Sequence, residues 1–324
     1  MQAIRVSKYG GPEELRLETV PIPTPSAKQI LIQVKAVGVN PVETYVRAGA
    51  QLPFNPVLTY TPGSDAAGVV AAIGAEITNV KVGDRVYTCE TRHLTGAYAQ
   101  YMLAPPSKVF LLPDRLSFSQ GAALGIPYFT VIRALKQARW KSGQRVLIHG
   151  ASGGVGLAAC QVAKAWGLDV VGTAGTDEGL ALVKSAGARV VLNHRDPHHA
   201  ANLKNAADGK GFDIILEMQA STNLPLDIDV VAPFGTVVII GNRGEVPINP
   251  GAIVGKESFI TAVLLLLATD EDFVEMGAQL AEGLKAGYID PIIDQEFPLE
   301  RAPEAHKAIM DASAGSKGKI VLLP

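Results

Sequence analysis

The sequence predicts an α/β protein with two domains, one a doubly wound parallel sheet and the other a smaller, barrel-like antiparallel sheet. From residue 141 onward, apolar strand patterns alternate with helical patterns, the order expected of a parallel sheet with crossover helices. The first third of the chain instead shows strand patterns separated by turn residues. At 324 residues the chain is long enough for about two domains with cores of their own.

Residues 1–122 are expected to form the first part of the antiparallel domain. Prolines recur here too often for long helices, at Pro21, Pro23, Pro25, Pro53, Pro56 and Pro62. Strands are predicted at residues 30–37, 67–73, 84–88 and 96–102. A helical pattern between residues 118 and 140 is expected to pack the cleft between the domains.

Residues 123–266 are expected to form the parallel sheet, and residues 267–324 to return to the first domain. Six strands are predicted in the sheet, at residues 145–149, 169–173, 189–192, 212–216, 235–240 and 258–264. Continuous apolar runs such as residues 236–240 are typical of strands buried on both faces. Right-handed crossovers between them give the doubly wound topology. The returning segment is predicted to contain a helix over residues 271–286 and a strand over residues 319–323.

A glycine-rich turn lies between the first of these strands and a helix. Within residues 145–156 an apolar run ends in small residues, and Ala151, Gly153 and Gly156 stand where a dinucleotide fingerprint has its three glycines. Such a turn lets the backbone approach a diphosphate closely and points N–H groups at it from a helix N-terminus. A glycine cluster alone is weak evidence, but here a strand precedes it and a helix follows. The motif therefore predicts a dinucleotide site and hydride chemistry.

The end of the next strand indicates which dinucleotide binds. A site specific for NAD places an acidic residue about 20 residues after the glycines. This chain has residues 173–176 there, two threonines among them, and its first acid is Asp177. Residues 193–195 add a cation and an imidazole ring near the adenine. NADPH is the predicted cofactor, with the alternative that Asp177 turns back to an NAD ribose.

Composition excludes several classes of protein. Charged residues make up 19% of the chain and the net charge is −2, so neither nucleic acid nor an anionic membrane is indicated as a partner. The longest apolar run, residues 259–268, is about half the length that spans a bilayer. The start of the chain lacks the apolar region of a secretory signal. With only Cys89 and Cys160, a disulfide framework is not expected, and the composition fits the cytoplasm.

Further motifs accompany the glycine turn and cover nearly the whole chain. They occupy residues 38–47, 60–69, 81–86, 125–130, 143–164, 172–176, 193–195 and 318–319. In these motifs the chain resembles the medium-chain dehydrogenases/reductases and, within them, the zeta-crystallin-type NADPH:quinone oxidoreductases. The resemblance implies a central Rossmann domain, with its doubly wound parallel sheet, and a GroES-like, β-barrel-type catalytic domain formed by both chain ends.

The same resemblance implies a set of residues that contact NADPH. They are Tyr45, Ser152, Gly153, Gly154, Val155, Gly175, His194, Asn223, Ile240, Gly241, Asn242, Arg243, Val263, Leu264 and Leu265. Most follow strands of the parallel sheet, as expected for a ligand at the carboxyl ends of those strands. For residues 263–265 the alternative is core packing of the side chains, which is compatible with cofactor contacts by their backbone.

The resemblance also implies that no metal takes part. Zinc-dependent alcohol dehydrogenases of this superfamily have a Cys ligand where this chain has Asn40, and a His-Glu pair where it has Ser64 and Asp65. Without the thiolate and the imidazole a zinc site is not expected. Alcohol oxidation needs a Lewis acid to stabilise an alkoxide, whereas a quinone is already a good electron acceptor.

Tyr45 and Asn40 are the candidate catalytic residues. Tyr45 is able to donate a hydrogen bond to the acceptor or to the nicotinamide ribose, and Asn40 to orient the same neighbourhood. The alternatives are a half-buried wall residue for Tyr45 and a turn former before Pro41 for Asn40. Many family members carry a tyrosine on the substrate side where this chain has residues 50–52, and Phe54 is a candidate replacement.

The remaining polar motifs are expected to be structural. Surface or satisfied core positions are predicted for His93, His149 and His306, and a solvated pair for His198 and His199. Arg85 is expected to anchor a turn with Asp84, and Asp65 to be structural.

Reduction of a small-molecule quinone or related acceptor is the leading hypothesis for the activity. A reductase of α,β-unsaturated carbonyls is the enzymatic alternative, and a structural protein that retains NADPH is the other. The apolar strand over residues 258–264 predicts pairing of copies at the sheet edge, giving a homo-oligomer, either a dimer or a tetramer.

Overall fold

The computed structural model describes residues 1–53, 55–91, 96–311 and 315–324. Its first part contains β1 (Gln2–Arg5), β2 (Arg16–Thr19), β3 (Ile30–Gly38), α1 (Pro41–Arg47), β4 (Asp65–Ile73), β5 (Arg85–Cys89), β6 (Tyr101–Ala104), β7 (Val109–Leu111) and α2 (Phe118–Ala122). The central part contains α3 (Gly125–Gln137), β8 (Arg145–Ile148), α4 (Gly154–Ala165), β9 (Asp169–Ala174), α5 (Asp177–Ser185), β10 (Val190–Asn193), α6 (His199–Ala206), β11 (Phe212–Glu217), α7 (Ala220–Val230), β12 (Val231–Ile239), α8 (Pro250–Val254) and β13 (Phe259–Ala262). The last part contains α9 (Asp270–Ala286), β14 (Ile293–Pro298), α10 (Ala302–Met310) and β15 (Lys319–Leu323).

The central strands form the predicted parallel sheet. Its order is β10-β9-β8-β11-β12-β13, and each pairing in it is parallel. The chain runs outward from β8 to one edge and then returns to the other side of β8. The order therefore reverses between β8 and β11, which is where such folds bind ligands.

The second large sheet combines both ends of the chain. Its order is β14-β15-β3-β4-β5-β7, and β6 also pairs with β3. The C-terminal β15 runs antiparallel to β3, so the last residues complete a sheet begun by the first hundred. On this topology we propose domain boundaries at residues 122 and 266.

The boundaries of several predicted strands were wrong. Residues 96–100 of the strand predicted over 96–102 precede β6. The strand predicted over 258–264 is shorter at both ends, and a 3₁₀ turn follows it at residues 265–267. Strands β1, β2, β7 and β14 were not predicted. The first three are only three or four residues long, β2 is exposed along its whole length, and β14 is largely polar, so none of the four has the longer apolar pattern that marks a buried strand.

The two sheets share a continuous apolar core. Aromatic rings of Tyr87, Phe110, Phe129 and Phe273 contact each other in sequence, with centroids 5.2–5.4 Å apart. They come from β5, β7, α3 and α9, so α3 packs both parts together as predicted. Within the described residues, no helix is long and apolar enough to cross a membrane.

Candidate active site

The glycine-rich turn has the geometry that the fingerprint predicts. Strand β8 ends at Ile148, Gly153 caps the N-terminus of α4, and a parallel bridge joins Gly153 to Gly318 of the last segment. A Cβ on Gly156 would lie 2.5 Å from Ala151 Cα and 2.6 Å from the Gly150 carbonyl oxygen. The third glycine therefore lets the helix approach the end of the strand, and the turn leads directly into the N-terminus of a 12-residue helix.

The segment after β9 meets the segment after β10. A Cβ on Gly175 would lie 2.6 Å from His194 Nε2 and 2.8 Å from Arg195 Nε, so these three residues lie close together. The two predicted threonine hydroxyls are otherwise engaged. Thr173 is fully buried and its Oγ1 accepts from the Gly150 N–H, whereas Thr176 Oγ1 accepts from the Gly179 N–H as the cap of α5.

Glu217, at the end of β11, holds the segments that follow β11 and β12. Its Oε1 accepts from Asn223 Nδ2 at 3.2 Å, and its backbone oxygen accepts from the N–H groups of Ile240, at 2.8 Å, and Gly241, at 3.2 Å. Val263 is held against β12 by its N–H, which donates to the Ile239 oxygen at 3.0 Å. The predicted residues after β11, β12 and β13 thus lie at one edge of the sheet. Glu217 itself was not predicted.

Tyr45 connects α1 to the segment after β12. It is half-buried on α1, and Arg243 Nε donates to its hydroxyl oxygen at 3.2 Å from the segment after β12. This contact puts a predicted catalytic residue of the first domain beside a predicted cofactor residue of the second.

The Asn40 side chain is buried within a cluster of polar groups. Its Nδ2 donates to Asp65 Oδ2 at 3.0 Å, to Glu43 Oε1 at 3.2 Å and to the Gly38 oxygen at 3.3 Å. The ammonium of Lys319 donates to Asn40 Oδ1 and, at 3.2 Å, to Asp65 Oδ2. Both polar atoms of the Asn40 amide are therefore held by the protein. Asp65 has the structural position predicted for it and also accepts from the Ile126 N–H at 2.8 Å, at the start of α3.

A hydrogen-bonded chain leads away from Glu43. Tyr98 donates to Glu43 Oε2 at 2.8 Å, and His306 Nε2 lies 2.9 Å from the Tyr98 hydroxyl. Burial, followed by the charge of Asp65, raises the pKa of Glu43 to about 7, and burial lowers the pKa of His306 to about 3. Since Arg47 Nη1 lies 3.4 Å from Nδ1 of the neutral His306, the arginine donates to Nδ1 and Nε2–H donates to Tyr98. His306 is thus a satisfied core residue, as predicted.

A second buried cluster lies below the crevice and comprises His149, Glu217 and Asp227. His149 Nε2 is 2.9 Å from Asp227 Oδ1 and 3.8 Å from Glu217 Oε2. Among the residues that the structure describes, this is the one group of three potential metal-ligating side chains whose donor atoms all lie within 4.8 Å of one another. The imidazole N–H of His149 already donates to the Asp227 carboxylate. Protons on these side chains therefore satisfy their hydrogen bonds without a bound ion.

Two other predictions can be checked. Arg85 does not anchor a turn with Asp84; its Nη1 contacts Asp114, at 3.2 Å, and its Nη2 donates to the Leu116 oxygen, because the side chain extends along the sheet to the next loop. The prediction of a solvated pair was wrong for His199, because the centroid of its ring lies 6.3 Å from that of the buried His149 ring. Phe54 and His93 lie outside the described residues.

Comparison with known proteins agrees with this architecture. Residues 26–114 match the model of the alcohol dehydrogenase GroES-like domain, and residues 154–282 match that of zinc-binding dehydrogenases. The chain is 48% identical to human quinone oxidoreductase, over 100% of this chain and 98% of that protein, and 34% identical to quinone oxidoreductase of Pseudomonas aeruginosa, over 99% of both. The crystal structure of Escherichia coli quinone oxidoreductase complexed with NADPH is 31% identical, with a TM-score of 0.89 over 100% of both chains. The chain belongs to the quinone oxidoreductase family of medium-chain dehydrogenases/reductases.

Proposed function

We propose that this protein is a zinc-independent quinone reductase that uses NADPH in the crevice between its two domains. The convergence of the predicted cofactor residues at the carboxyl edge of the parallel sheet, with Tyr45 of the first domain beside them, supports this most directly. The Escherichia coli relative has been crystallised with NADPH.

The residues around the crevice suit each part of NADPH. The N-terminus of α4 and the turn before it would hold the diphosphate. The absence of a side chain at Gly175 leaves room for the adenosine beside His194 and Arg195. The guanidinium of Arg195 would face the adenosine 2′-phosphate. Asn223, residues 240–243 and residues 263–265 would hold the nicotinamide half. When bound, NADPH would supply the two electrons and one of the two protons that convert a quinone to its hydroquinone, and water would supply the other proton.

The position equivalent to the catalytic zinc of related dehydrogenases does not suit a metal in this chain. Asn40 and Asp65 offer an amide and a carboxylate there, and the ammonium of Lys319 already binds both. A zinc ion would lack thiolate and imidazole ligands and would be repelled by a buried cation. This arrangement supports zinc-independence, and elemental analysis of the purified protein is its direct test.

Steady-state kinetics with NADPH test the proposed activity. We expect kcat/KM for a 1,4-benzoquinone to exceed that for an acyclic enone by about tenfold or more, because an enone needs a proton delivered to its adjacent carbon and a quinone does not. Faster enone turnover would favour the enone reductase instead. NADPH binding without oxidation by either acceptor would favour the structural protein, and a preference for NADH would contradict the proposed cofactor.

Replacing Tyr45 with phenylalanine should reduce turnover only modestly. The substitution removes a partly exposed hydrogen bond from Arg243, which is worth about 1 kcal/mol, so we expect kcat to fall by less than about tenfold. Tyr101→Phe on β6 is a matched control, since its hydroxyl contacts Gln33. A loss of several orders of magnitude in Tyr45→Phe alone would show that Tyr45 transfers a proton.

We also propose that copies of the chain form a dimer or tetramer and that the protein resides in the cytoplasm. Strand β13 is at the edge of the parallel sheet, and Phe259 on it is 59% exposed, which leaves an apolar edge open to a second copy. Light scattering that gave a monomer mass would contradict the oligomer.

A further inference from the structure

We infer that His149, Glu217 and Asp227 form a proton-sharing cluster that positions Asn223 for the cofactor, and that loss of the shared proton weakens cofactor binding. The inference rests on the proposed use of NADPH. These three are positioning residues, because they act through Asn223 and its neighbours and are themselves buried.

The cluster sits at the point where the strand order of the parallel sheet reverses. His149 directly follows β8 and Glu217 ends β11, and these strands are neighbours, with Ile148 paired to Leu216. Asp227 comes from α7. Glu217 and Asp227 are fully buried, and His149 is 2% exposed. Three groups that normally carry charge are thus enclosed under the crevice.

The hydrogen bonds of the cluster require a proton between its carboxyl groups. Two buried atoms, Glu217 Oε2 and Asp227 Oδ2, have no hydrogen-bond donor among the described groups. The two carboxyl groups lie close together, since the ligand atoms of His149, Glu217 and Asp227 are all within 4.8 Å of one another. Two ionised carboxylates this close to each other, away from water, would repel each other strongly. One shared proton satisfies both oxygens, and neutral His149 satisfies Asp227 Oδ1 through Nε2–H.

Glu217 links this proton to the crevice. Its Oε1 accepts from Asn223 Nδ2 and from the Gln219 backbone N–H, and its backbone oxygen holds the N–H groups of Ile240 and Gly241. A shift of the Glu217 carboxyl would therefore move the Asn223 amide and the turn that begins α7. With Nδ2 held by Glu217, the Asn223 oxygen is the acceptor left for an N–H of the cofactor.

The titratable side chains on neighbouring elements do not take over the role of the shared proton. His199 on α6 faces His149, and His194 and Arg195 follow β10. Burial lowers the pKa values of His149, His194 and His199, so the three imidazoles are neutral near pH 7. Burial raises the pKa values of Glu217 and Asp227 to about 7. Among these side chains, the carboxyl groups of Glu217 and Asp227 are therefore the ones that gain and lose a proton near neutral pH.

The sign of the effect follows from the raised pKa values. Between the ordinary carboxyl pKa and about 7 the folded protein binds more protons than the unfolded chain, so its stability falls as pH rises through this window. If the cofactor prefers the protonated cluster, binding raises the pKa of the pair, and the cofactor and the proton bind cooperatively.

The test compares the NADPH affinity of the wild type, Asp227→Asn and Asp229→Asn by the fluorescence of bound NADPH between pH 6.5 and 9. Asparagine at position 227 is able to donate to Glu217 and accept from His149, so it imitates the protonated aspartate. We expect the wild-type Kd to weaken about tenfold across this range, since each unit of pKa shift gives a tenfold change. Asp227→Asn should show a flat profile. Asp229→Asn, on the same helix but exposed and paired with Lys204, should follow the wild type.

Two outcomes would overturn the inference: a wild-type Kd that does not change with pH, or an Asp227→Asn profile parallel to that of the wild type. If Asp227→Asn does not fold, calorimetry of the wild type at pH 8 in two buffers of different ionisation enthalpy decides. We expect uptake of a fraction of a proton on NADPH binding, and no uptake would overturn it.

Thermal unfolding without cofactor separates this inference from the proposed function. The wild type should lose stability from pH 5 to pH 8 relative to Asp227→Asn. If NADPH does not bind at any pH, the proposed function fails, but thermal unfolding still tests the proton-sharing cluster. Equal pH dependence of the two melting temperatures would overturn the cluster itself.

Discussion

Replacing Lys319 with methionine is expected to lower the free energy of unfolding by about 3–5 kcal/mol, the usual cost of removing one partner of a buried ion pair. The side chains of Lys319 and Asp65 are 5% and 0% exposed. Methionine leaves the Asp65 carboxylate in the core without its cation and removes the donor to Asn40 Oδ1. Urea unfolding monitored by circular dichroism measures the change.

A second substitution shows whether the loss comes from the uncompensated charge. Asp65→Asn combined with Lys319→Met removes both charges of the ion pair, and we expect the double variant to recover more than half of the lost stability. Lys317→Met is the surface control on the same segment, because Lys317 pairs with the exposed Glu178, and it should unfold like the wild type. A Lys319→Met protein as stable as the wild type would show that Asp65 does not depend on the ammonium.

Lys319→Met is also expected to reduce turnover. Asn40 precedes α1, and Tyr45 lies on that helix, so loss of the ammonium loosens the start of the element that carries the candidate catalytic tyrosine. The double variant separates the effect of the unpaired Asp65 charge from that of the lost hydrogen bond, since it restores the charge balance without restoring the donor to Asn40.

Replacing Gly156 with alanine is the second substitution with a large expected effect. A Cβ at this position would lie 2.5 Å from Ala151 Cα and 2.6 Å from the Gly150 oxygen, and both are backbone atoms that cannot move aside as a side chain does. Helix α4 would have to withdraw from the end of β8, as in an overpacked core. We expect a loss of about 2–3 kcal/mol in the free energy of unfolding, together with weaker NADPH binding, because the turn that would hold the diphosphate opens.

Gly154→Ala is the matched control for stability. A Cβ there would meet its nearest atom, Lys319 Cδ, at 3.6 Å, which is an ordinary contact. Since Gly154 begins α4, alanine should leave the free energy of unfolding unchanged or slightly higher. If the two alanine variants unfold alike, close packing at Gly156 does not explain the third glycine of the fingerprint.

The sequence was most informative where structure depends on near neighbours along the chain. The predicted sheet strands agree with β8 to β13 to within a few residues, apart from the start of β12, because apolar runs that are buried on both faces have a strong local pattern. The glycine turn was found because a strand, small residues and a helix follow one another without interruption. The exposed edge strand β2 has no such pattern and was missed.

Histidines and buried charges show the opposite case. His149 was expected to occupy a surface or satisfied core position, and it is a satisfied core residue, but its partners Glu217 on β11 and Asp227 on α7 are 68 and 78 positions away. The Asn40 side chain was expected to orient the neighbourhood of Tyr45, and its amide is held by Lys319, which lies 279 residues further along. In the sequence Lys319 is only a charged residue at the start of a terminal strand.

The sequence by itself determined the two sheets, the dinucleotide turn and the chemical types of the crevice residues, because strand burial and tight turns depend on residues that are close along the chain. Only the tertiary structure decided which buried polar groups share a proton, which ones pair as ions, and that Tyr45 meets Arg243. The physical reason is that a polar group can be buried only when its partner is brought to it, and here β15, α7 and the segment after β12 bring those partners from distant parts of the chain.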